Sequence, residues 1–325
     1  MNSQEYWIKR EKEWQKQQIK DDKKRMAEIK SRMQYAQDAI QKEIDAQWDS
    51  FSNGQKITRS EAMKRASEMD VKAFARKAKK YVKEKDFSPT ANQELKLYNL
   101  TMRVNRLELL KANIGLELIS LFNELDKYFS NELTKAGLAE LKRQAGILEI
   151  TIASSGYAKL IELVINSSFL SDDVSFSDRL WMYQSELKSE LDRLLVRSIT
   201  MGKNPKQLAS KLAEYLTAEG RENTKFNTQR LMVTETTRVQ VGIQERSYRD
   251  ASITQYIYIA EPTACKLCIP LNNQVFDVAD MQPGSNAPNM HPFCRCSTAP
   301  YIETNIKSLI QINGFLLCLL TAYRR

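Results

Sequence analysis

The stretch LYNLTMRVNRLELLKANIGLELISLFNELDKY, residues 97–128, has the most regular hydrophobic pattern of the sequence. Its apolar positions alternate in steps of three and four, interrupted only by Lys111. They are Leu97, Leu100, Val104, Leu107, Ile114, Leu118, Leu121, Leu125 and Tyr128. This period is typical of an amphipathic helix. It predicts one helix of roughly 35 residues, about 50 Å long, which needs a partner along its length.

The sequence before this stretch also favours helices. Glycine and proline are scarce, with 10 and 8 residues in 325, and residues 5–49 are rich in Lys, Glu, Gln, Met and Ala, which predicts one or two helices. A break follows at residues 52–54. Thr58 and Glu61 then have the spacing of a capping box, in which each side chain satisfies a first-turn backbone donor, and this predicts a helix that ends near Lys85.

Later helix starts are indicated by a capping residue followed by proline, at Ser88-Pro89 and at Asn204-Pro205. Proline is well tolerated at the first helical position because its missing N–H would have no partner there. The second of these helices places leucines at steps of four and is predicted to end near Gly220. A further helix is predicted over residues 224–251.

The period changes after this helix. Residues 254–259, TQYIYI, are aromatic and β-branched, which predicts a strand, and Val275-Phe276 is the candidate partner strand. We therefore predict a mainly α fold with long N-terminal helices and a small C-terminal α+β module. Four regions are expected: a basic helical region 1–87, a long-helix core 88–200, the module 201–301 and an apolar tail 302–325.

Charge is distributed unevenly along the chain. The net charge is +9, and residues 1–85 contain 22 lysines and arginines against 14 acidic residues, a difference of +8. A basic excess at one end indicates contact with DNA or with an acidic protein surface. The alternative is a solvated helix whose lysines keep the protein soluble, since acidic residues are interleaved with them.

Two features bear on the compartment. The first residues are charged from Glu5 onward, unlike a secretory signal, so we expect a protein that stays in a reducing cytoplasm. The run FLLCLLTAY, residues 315–323, is far shorter than the roughly 20 residues needed to cross a bilayer. We therefore expect no membrane association, and we interpret Cys318 as part of a buried helix or of a patch covered by a partner.

Four of the five cysteines and the only histidine lie within residues 264–296, and they are Cys265, Cys268, His291, Cys294 and Cys296. In a reducing cell such a cluster favours a metal site over disulfides. Tetrahedral zinc takes four ligands of these types. The preferred set is the first four residues named, with Cys296 either replacing His291 or contacting a ligand through its thiol.

Other readings of the cluster are less well supported. Free cysteines can be small buried hydrophobes, but their concentration in one short loop disfavours that here. A zinc deaminase requires a glutamate two residues after its histidine, and Pro292 and Phe293 follow His291 instead. The flanks of Cys265 and Cys268 lack the βαβ pattern of a thioredoxin. We therefore predict that the C-terminal module binds a structural zinc that cross-links it, and that the protein is not an enzyme.

The predicted helix before the cluster contains a polar stretch from Thr234 to Arg238. Glu235 and Arg238 are three residues apart and can pair on one helical face. No second acidic or nucleophilic partner is identifiable near them in the sequence. We therefore interpret them as an exposed ion pair, not as catalytic residues.

The ordered set LMVTETTR (231–238), TACKLC (263–268) and HPFCRC (291–296) resembles the C-terminal domain of phage minor head, or minor capsid, proteins of the Mu F-like head-morphogenesis family. The resemblance covers about residues 200–301. The family's Cys/His positions correspond to the five candidate ligands, and its Thr-Glu feature corresponds to Thr234 and Glu235. The apolar tail is not expected of the family.

The resemblance implies a non-enzymatic virion component, present in few copies and made in the host cytoplasm. Its implied partners are the phage portal and capsid or scaffold proteins, and its implied role is in head assembly or in the fate of packaged DNA. The alternative function is a zinc-dependent protein that binds or processes nucleic acid.

Overall fold

The computed structural model describes residues 3–52, 68–85, 87–101, 106–148, 154–167, 174–201, 205–220 and 223–302. The helices in these ranges are α1 (Ser3–Ser52), α2 (Glu68–Glu84), α3 (Pro89–Thr101), α4 (Arg106–Leu148), α5 (Ser154–Asn166), α6 (Phe176–Thr200), α7 (Pro205–Leu216) and α8 (Thr224–Asp250). The strands are β1 (Gln255–Ile259), β2 (Val275–Asp277) and β3 (Ser297–Tyr301). This composition confirms the prediction of a mainly α fold with a small C-terminal α+β module.

Helix α4 is the central element, and it contacts α1, α2, α3, α5, α6 and α8. The predicted apolar positions from Leu107 to Leu125 are buried in the main core, together with Ile29 and Met33 of α1. Lys111, which interrupts the pattern, pairs with Glu108 at the edge of this face. The 3.6-residue period therefore identified the correct buried face, and the expected partners are other helices of the same chain.

The prediction of one continuous helix from Leu97 is wrong at its N-terminal end. The first part of that stretch belongs to α3, and α3 packs back on α4 so that Ala91 and Leu95 share a second core cluster with Leu109 and Leu116. Two helices in succession that both bury an apolar face preserve the same three-four alternation, which is why the pattern did not reveal the break. The connecting residues 102–105 lie outside the described ranges.

Helix α4 also extends beyond the predicted end at Tyr128, to Leu148. Gly137 lies in this extension, where α5 and α8 approach closely. A Cβ atom built at Gly137 would be 3.1 Å from Val239 Cγ1 and 3.3 Å from Ile161 Cγ2. The absence of a side chain therefore permits the three helices to meet at this point.

The predicted helix ends are largely confirmed. Helix α1 is one 50-residue helix that ends at Ser52, at the predicted break. Ser88 caps α3 through its hydroxyl, which accepts a hydrogen bond from Ala91 N–H at 3.3 Å, and Asn223 caps α8 by accepting from Phe226 N–H at 2.8 Å. Helix α7 ends at Leu216, before Gly220. The capping pair Thr58 and Glu61 and the apolar tail with Cys318 lie outside the described residues.

The three strands form an antiparallel sheet in the order β2-β1-β3. Strands β1 and β2 confirm the two predictions, and Tyr256 of β1 is in register with Phe276 on one side and with Pro300 on the other. The sequence did not indicate β3, because SerThrAlaProTyr has few strand-favouring residues and contains a proline. Proline is tolerated there since β3 is at the edge of the sheet.

The N-terminal helix contacts the C-terminal module directly. Helix α1 packs on β1 and β3, where Trp7 and Ile8 cover Ile257, Ile259 and Ala299. The proposed division into four regions stays a prediction, and these contacts tie its first and third regions together. None of the described helices is both long and apolar enough to span a membrane.

Candidate metal centre

The five candidate ligands lie on two tight turns of the connection between β1 and β3. In the first turn, the N–H groups of Cys268 and Ile269 both donate to the Cys265 carbonyl at 3.0 Å. In the second, Cys294 N–H donates to the His291 carbonyl at 3.0 Å. These turns bring residues 26 positions apart, Cys265 and His291, into contact.

Three of the candidate donors have the spacing that zinc requires. The Sγ atoms of Cys265 and Cys268 are 3.8 Å apart, and His291 Nε2 is 3.1 Å from the first and 3.4 Å from the second. Tetrahedral zinc with bonds of about 2.3 Å to sulfur and 2.0 Å to nitrogen separates two sulfurs by about 3.8 Å, and sulfur from nitrogen by about 3.5 Å. The three donors therefore fit one ion with only a slight expansion.

The orientation of the imidazole suits a metal ligand. His291 Nδ1 lies 2.8 Å from the Pro292 carbonyl oxygen. Because a carbonyl can only accept, Nδ1 carries the proton when the ring is neutral, and the Nε2 lone pair then faces the two thiols. A backbone carbonyl on the far nitrogen is a common way to fix a ligating histidine.

A second group of donors shares Cys268 with the first. Cys268, Cys294 and Cys296 offer sulfur atoms within 4.8 Å of one another, and all three residues are buried. The ring of Tyr258 from β1 packs against them. All five candidates thus meet around Cys268, in two overlapping sets of three, and either Cys294 or Cys296 is placed to complete a four-ligand site.

The surroundings distribute thiolate character unevenly over the cluster. A hydrogen bond from the Cys296 thiol, with further bonds from backbone groups, lowers the pKa of Cys294 to about 5. The same bond to Cys294 raises the pKa of Cys296. Burial raises the pKa of Cys268 to about 11. Cys294 is therefore the buried thiol that most readily supplies the thiolate on which zinc binding depends.

Helix α8 holds the second turn through two threonine hydroxyls. The Thr234 hydroxyl accepts from Phe293 N–H at 3.3 Å, and the Thr237 hydroxyl donates to the Cys294 carbonyl at 2.8 Å. Thr237 Oγ1 also accepts from Arg295 Nη1 at 2.5 Å. The family resemblance implied a functional role for Thr234, whereas the contact of Thr237 with the second turn was not predicted. The available signal was their spacing, since positions three apart lie on the same helical face.

Phe293 has a backbone conformation that is unusual for a bulky residue. Its φ is +64°, at the third position of the turn that follows His291, with Pro292 at the second. This is the geometry of a type II turn, which favours glycine at that position. The ring of Phe293 packs on Phe226 of α8, with centroids 5.5 Å apart, so side-chain packing and the Thr234 bond together hold the strained residue.

The interpretation of Glu235 and Arg238 as an exposed ion pair is wrong. The pair forms, with Arg238 Nε 2.6 Å from Glu235 Oε2, but both side chains are buried. The two terminal nitrogens of Arg238 donate to the carbonyls of Val164, Ile165 and Ser167 at 2.6–2.7 Å. The first two carbonyls lie in the last turn of α5, where no further turn supplies backbone donors, and Ser167 directly follows the helix. The spacing of the pair was read correctly, but the sequence did not show that α5 covers this face.

Comparison with known families gives a match over the C-terminal part of the chain. The model of the family described as Phage Mu protein F like protein matches residues 189–299, which include the second half of α6, helices α7 and α8, and all five candidate ligands. The match begins earlier than the expected start near residue 200 and covers 111 of the 325 residues. No curated protein and no solved structure matches the chain. The resemblance seen in the sequence is thereby confirmed for this segment.

Proposed function

We propose that the chain is a minor structural protein of a bacteriophage head that acts in head assembly, because the model of the Phage Mu protein F like family matches residues 189–299. The observation that carries the proposal is the order of its parts: the Thr-Glu helix, the Cys-x-x-Cys turn and the HPFCRC turn. The contacts of Thr234 and Thr237 with the second turn give this order a physical reason.

We propose the phage portal and capsid or scaffold proteins as the partners, the head of the virion as the final location, and the host cytoplasm as the site of assembly. The protein acts there as a non-enzymatic structural component. Support comes from the buried state of the Glu235–Arg238 pair, whose groups are used to cap α5 and to hold the fold together. The helical part of the chain, with α4 at its centre, supplies the rigid body that carries the module.

We further propose that the module binds one structural zinc. Cys265, Cys268 and His291 would hold it, and Cys294 or Cys296 would be the fourth ligand. The ion would supply a cross-link between two turns whose connecting loop is rich in Pro, Gly and Asn. Such a loop buries little apolar surface of its own, so metal binding would contribute directly to its folding free energy.

The head proposal is tested by mass spectrometry of purified phage heads assembled with and without the portal protein. We expect the chain in heads that contain the portal, at a few copies per particle, and its depletion from heads that lack it. Complete absence from both kinds of particle would overturn the proposal. Equal amounts of the chain in both kinds of particle would support its association with the head and would contradict the portal as its partner.

The second candidate, a zinc-dependent nucleic-acid-processing protein, is favoured by the basic N-terminal region beside a zinc-type cluster. It predicts metal-dependent cleavage of DNA by the purified chain, abolished by Cys265→Ser. Intact DNA after prolonged incubation with zinc or magnesium would exclude this activity and leave the structural role.

A further inference from the structure

Helix α1 carries a row of exposed lysines along one face. They are Lys9, Lys12, Lys16, Lys20 and Lys23, referred to here as the lysine row. At 100° per residue these positions fall within an arc of about 80°, and they extend over about 21 Å of helix. The row is therefore a straight line of positive charge on one element.

The lysines of the row differ from neighbouring lysines in their ion pairing. Among the residues that the structure describes, no carboxylate lies within ion-pair distance of its five ammonium groups. The nearby Lys24 and Lys30, by contrast, pair with Asp21 and Glu219.

The opposite face of α1 fixes the direction in which the row points. Gln15 donates to the Ile259 carbonyl at 3.0 Å, and Arg25 pairs with Glu132 of α4. Asp22 pairs with Arg295 of the module. Because these buried contacts hold the rotation of α1, the lysine row is a preorganised feature of the folded surface.

We propose that the lysine row binds the phosphate backbone of double-stranded DNA. This rests on the proposed function, since a head protein works beside packaged DNA. Duplex DNA offers one negative charge per about 1.7 Å of axis, which a line of flexible ammonium groups can follow. Contacts between ammonium groups and phosphate oxygens carry no information about the base sequence, so the proposed binding is independent of sequence.

The composition of this face favours DNA over an acidic protein. The centres of protein interfaces are enriched in aromatic residues and depleted in lysine. No large apolar side chain is exposed between Lys9 and Lys23 among the described residues, and the nearest ones, Tyr6 and Tyr35, lie outside the row. An acidic protein would find charge here but no apolar anchor.

The test uses the full chain and a labelled 30-base-pair duplex of random sequence, with fluorescence anisotropy over a series of salt concentrations. The variant is Lys12→Gln/Lys16→Gln/Lys20→Gln. The matched control, Lys135→Gln/Lys188→Gln/Lys211→Gln, also removes three charges, but from lysines that pair with Glu132, Asp192 and Glu214. Glutamine is a good helix former, and circular dichroism checks that both variants fold.

We expect the row variant to lose roughly 100-fold in affinity at moderate salt, with the slope of log K against log salt smaller by about 3, since each phosphate contact contributes about 0.9. The control should change by less than about 3-fold. Equal losses in both variants, or no binding by the unaltered chain at low salt, would overturn the proposal. So would tighter binding to polyglutamate than to DNA, which would indicate an acidic protein partner.

Incorporation into heads separates this inference from the proposed function. The row variant should still be found in particles that contain the portal. If that variant binds DNA as well as the unaltered chain and is incorporated normally, the DNA-binding role of the lysine row is contradicted and the head function is not. If the unaltered chain binds DNA but is absent from all particles, the proposed head function is contradicted and the DNA-binding role of the lysine row is not.

Discussion

Among single residues, Cys268 is central to the candidate site, because it is the one thiol that belongs to both groups of candidate ligands. It is also fully buried, so an uncoordinated Cys268 thiol has no access to water. A metal would satisfy it and would join the two turns.

The first prediction concerns metal content. Native protein purified without chelator should contain about one zinc per chain, and Cys265→Ser/Cys268→Ser should contain none and should lose the fold of residues 254–300. The measurements are elemental analysis and limited proteolysis. Cys318→Ser is the control, because Cys318 lies outside the cluster sequence. A metal-free native protein, or a double variant that retains zinc, would contradict the prediction.

A second residue-scale feature is a buried charge cluster at the meeting of α1, α4 and β3. Glu11 and Glu140 both contact Arg143, and the Ser297 hydroxyl donates to Glu11. The cluster contains two carboxylates and one guanidinium, and burial raises the pKa of Glu11 despite the attraction of Arg143. The folded protein therefore retains the Glu11 proton at a pH where the unfolded chain has lost it.

The second prediction follows from the sign of this shift. As pH rises above 4.5, the ordinary pKa of a glutamate carboxyl, the folded state becomes less stable relative to a Glu11→Gln variant. The loss is about 1.4 kcal/mol for each pH unit between that value and the raised pKa of Glu11. Urea unfolding of both proteins at pH 4 and pH 7 measures this difference. The exposed neighbour Glu13, changed to Gln, should show no comparable trend. A Glu11→Gln difference that is independent of pH would contradict the prediction.

At the scale of single elements, α8 positions the second turn of the metal centre. Its Thr237 hydroxyl lies between the Cys294 carbonyl and Arg295, whereas the hydroxyl of the adjacent Thr236 donates to Met232 of its own helix. The two threonines are both buried, and only one of them connects α8 to the cluster.

The third prediction uses this pair. Thr237→Val should destabilise the protein by about 1–3 kcal/mol, because the buried Cys294 carbonyl loses its hydroxyl donor and Arg295 Nη1 loses an acceptor, although Arg295 keeps its pair with Asp22. It should also weaken zinc retention against a chelator. Thr236→Val removes a bond within the helix and should cost less than about 1 kcal/mol with zinc retention unchanged. Equal zinc loss in both variants would contradict the role assigned to Thr237.

The fourth prediction tests the close approach of α4 to α5 and α8. Gly137→Ala should destabilise the protein by about 1 kcal/mol or more, since overpacking at Val239 and Ile161 outweighs the better helix propensity of alanine. Gly146→Ala in the same helix meets no atom within 4 Å and should be neutral or slightly stabilising. Thermal unfolding compares the two, and a Gly137→Ala protein as stable as Gly146→Ala would show that the helices can separate at no cost.

The elements also show what sequence could and could not predict. A helix-capping residue such as Ser88 acts locally, so it correctly marked the start of a helix. The break before Arg106 and the burial of Glu235 depend on which helix lies across from them. The periodicity of one sequence contains no information about which helix packs against a given face. For this reason the predictions of one continuous helix and of an exposed ion pair were both wrong.

At the scale of the whole molecule, the candidate site was predictable because all its donors lie within one short segment. The ligand types and their spacing are local properties, so the sequence singled out the five residues that the structure brings together. Their role as metal ligands stays a prediction. What it did not indicate is how the module is supported from afar. Gln4 donates to the Pro300 carbonyl, Gln15 to the Ile259 carbonyl, and Asp22 pairs with Arg295, and these contacts span almost the whole chain.

The fifth prediction concerns this long-range support. A fragment of residues 189–302 exposes the surface that Trp7 and Ile8 cover, and it leaves Arg295 without Asp22. It should therefore unfold at a lower temperature than the full chain and bind a hydrophobic dye. Addition of a peptide of residues 1–52 should raise its unfolding temperature. The same peptide with Trp7→Ser and Asp22→Ala serves as the control and should have little effect, because it lacks both the apolar cover and the partner of Arg295. A fragment as stable as the full chain would show that the module folds independently and that α1 only rests on its surface.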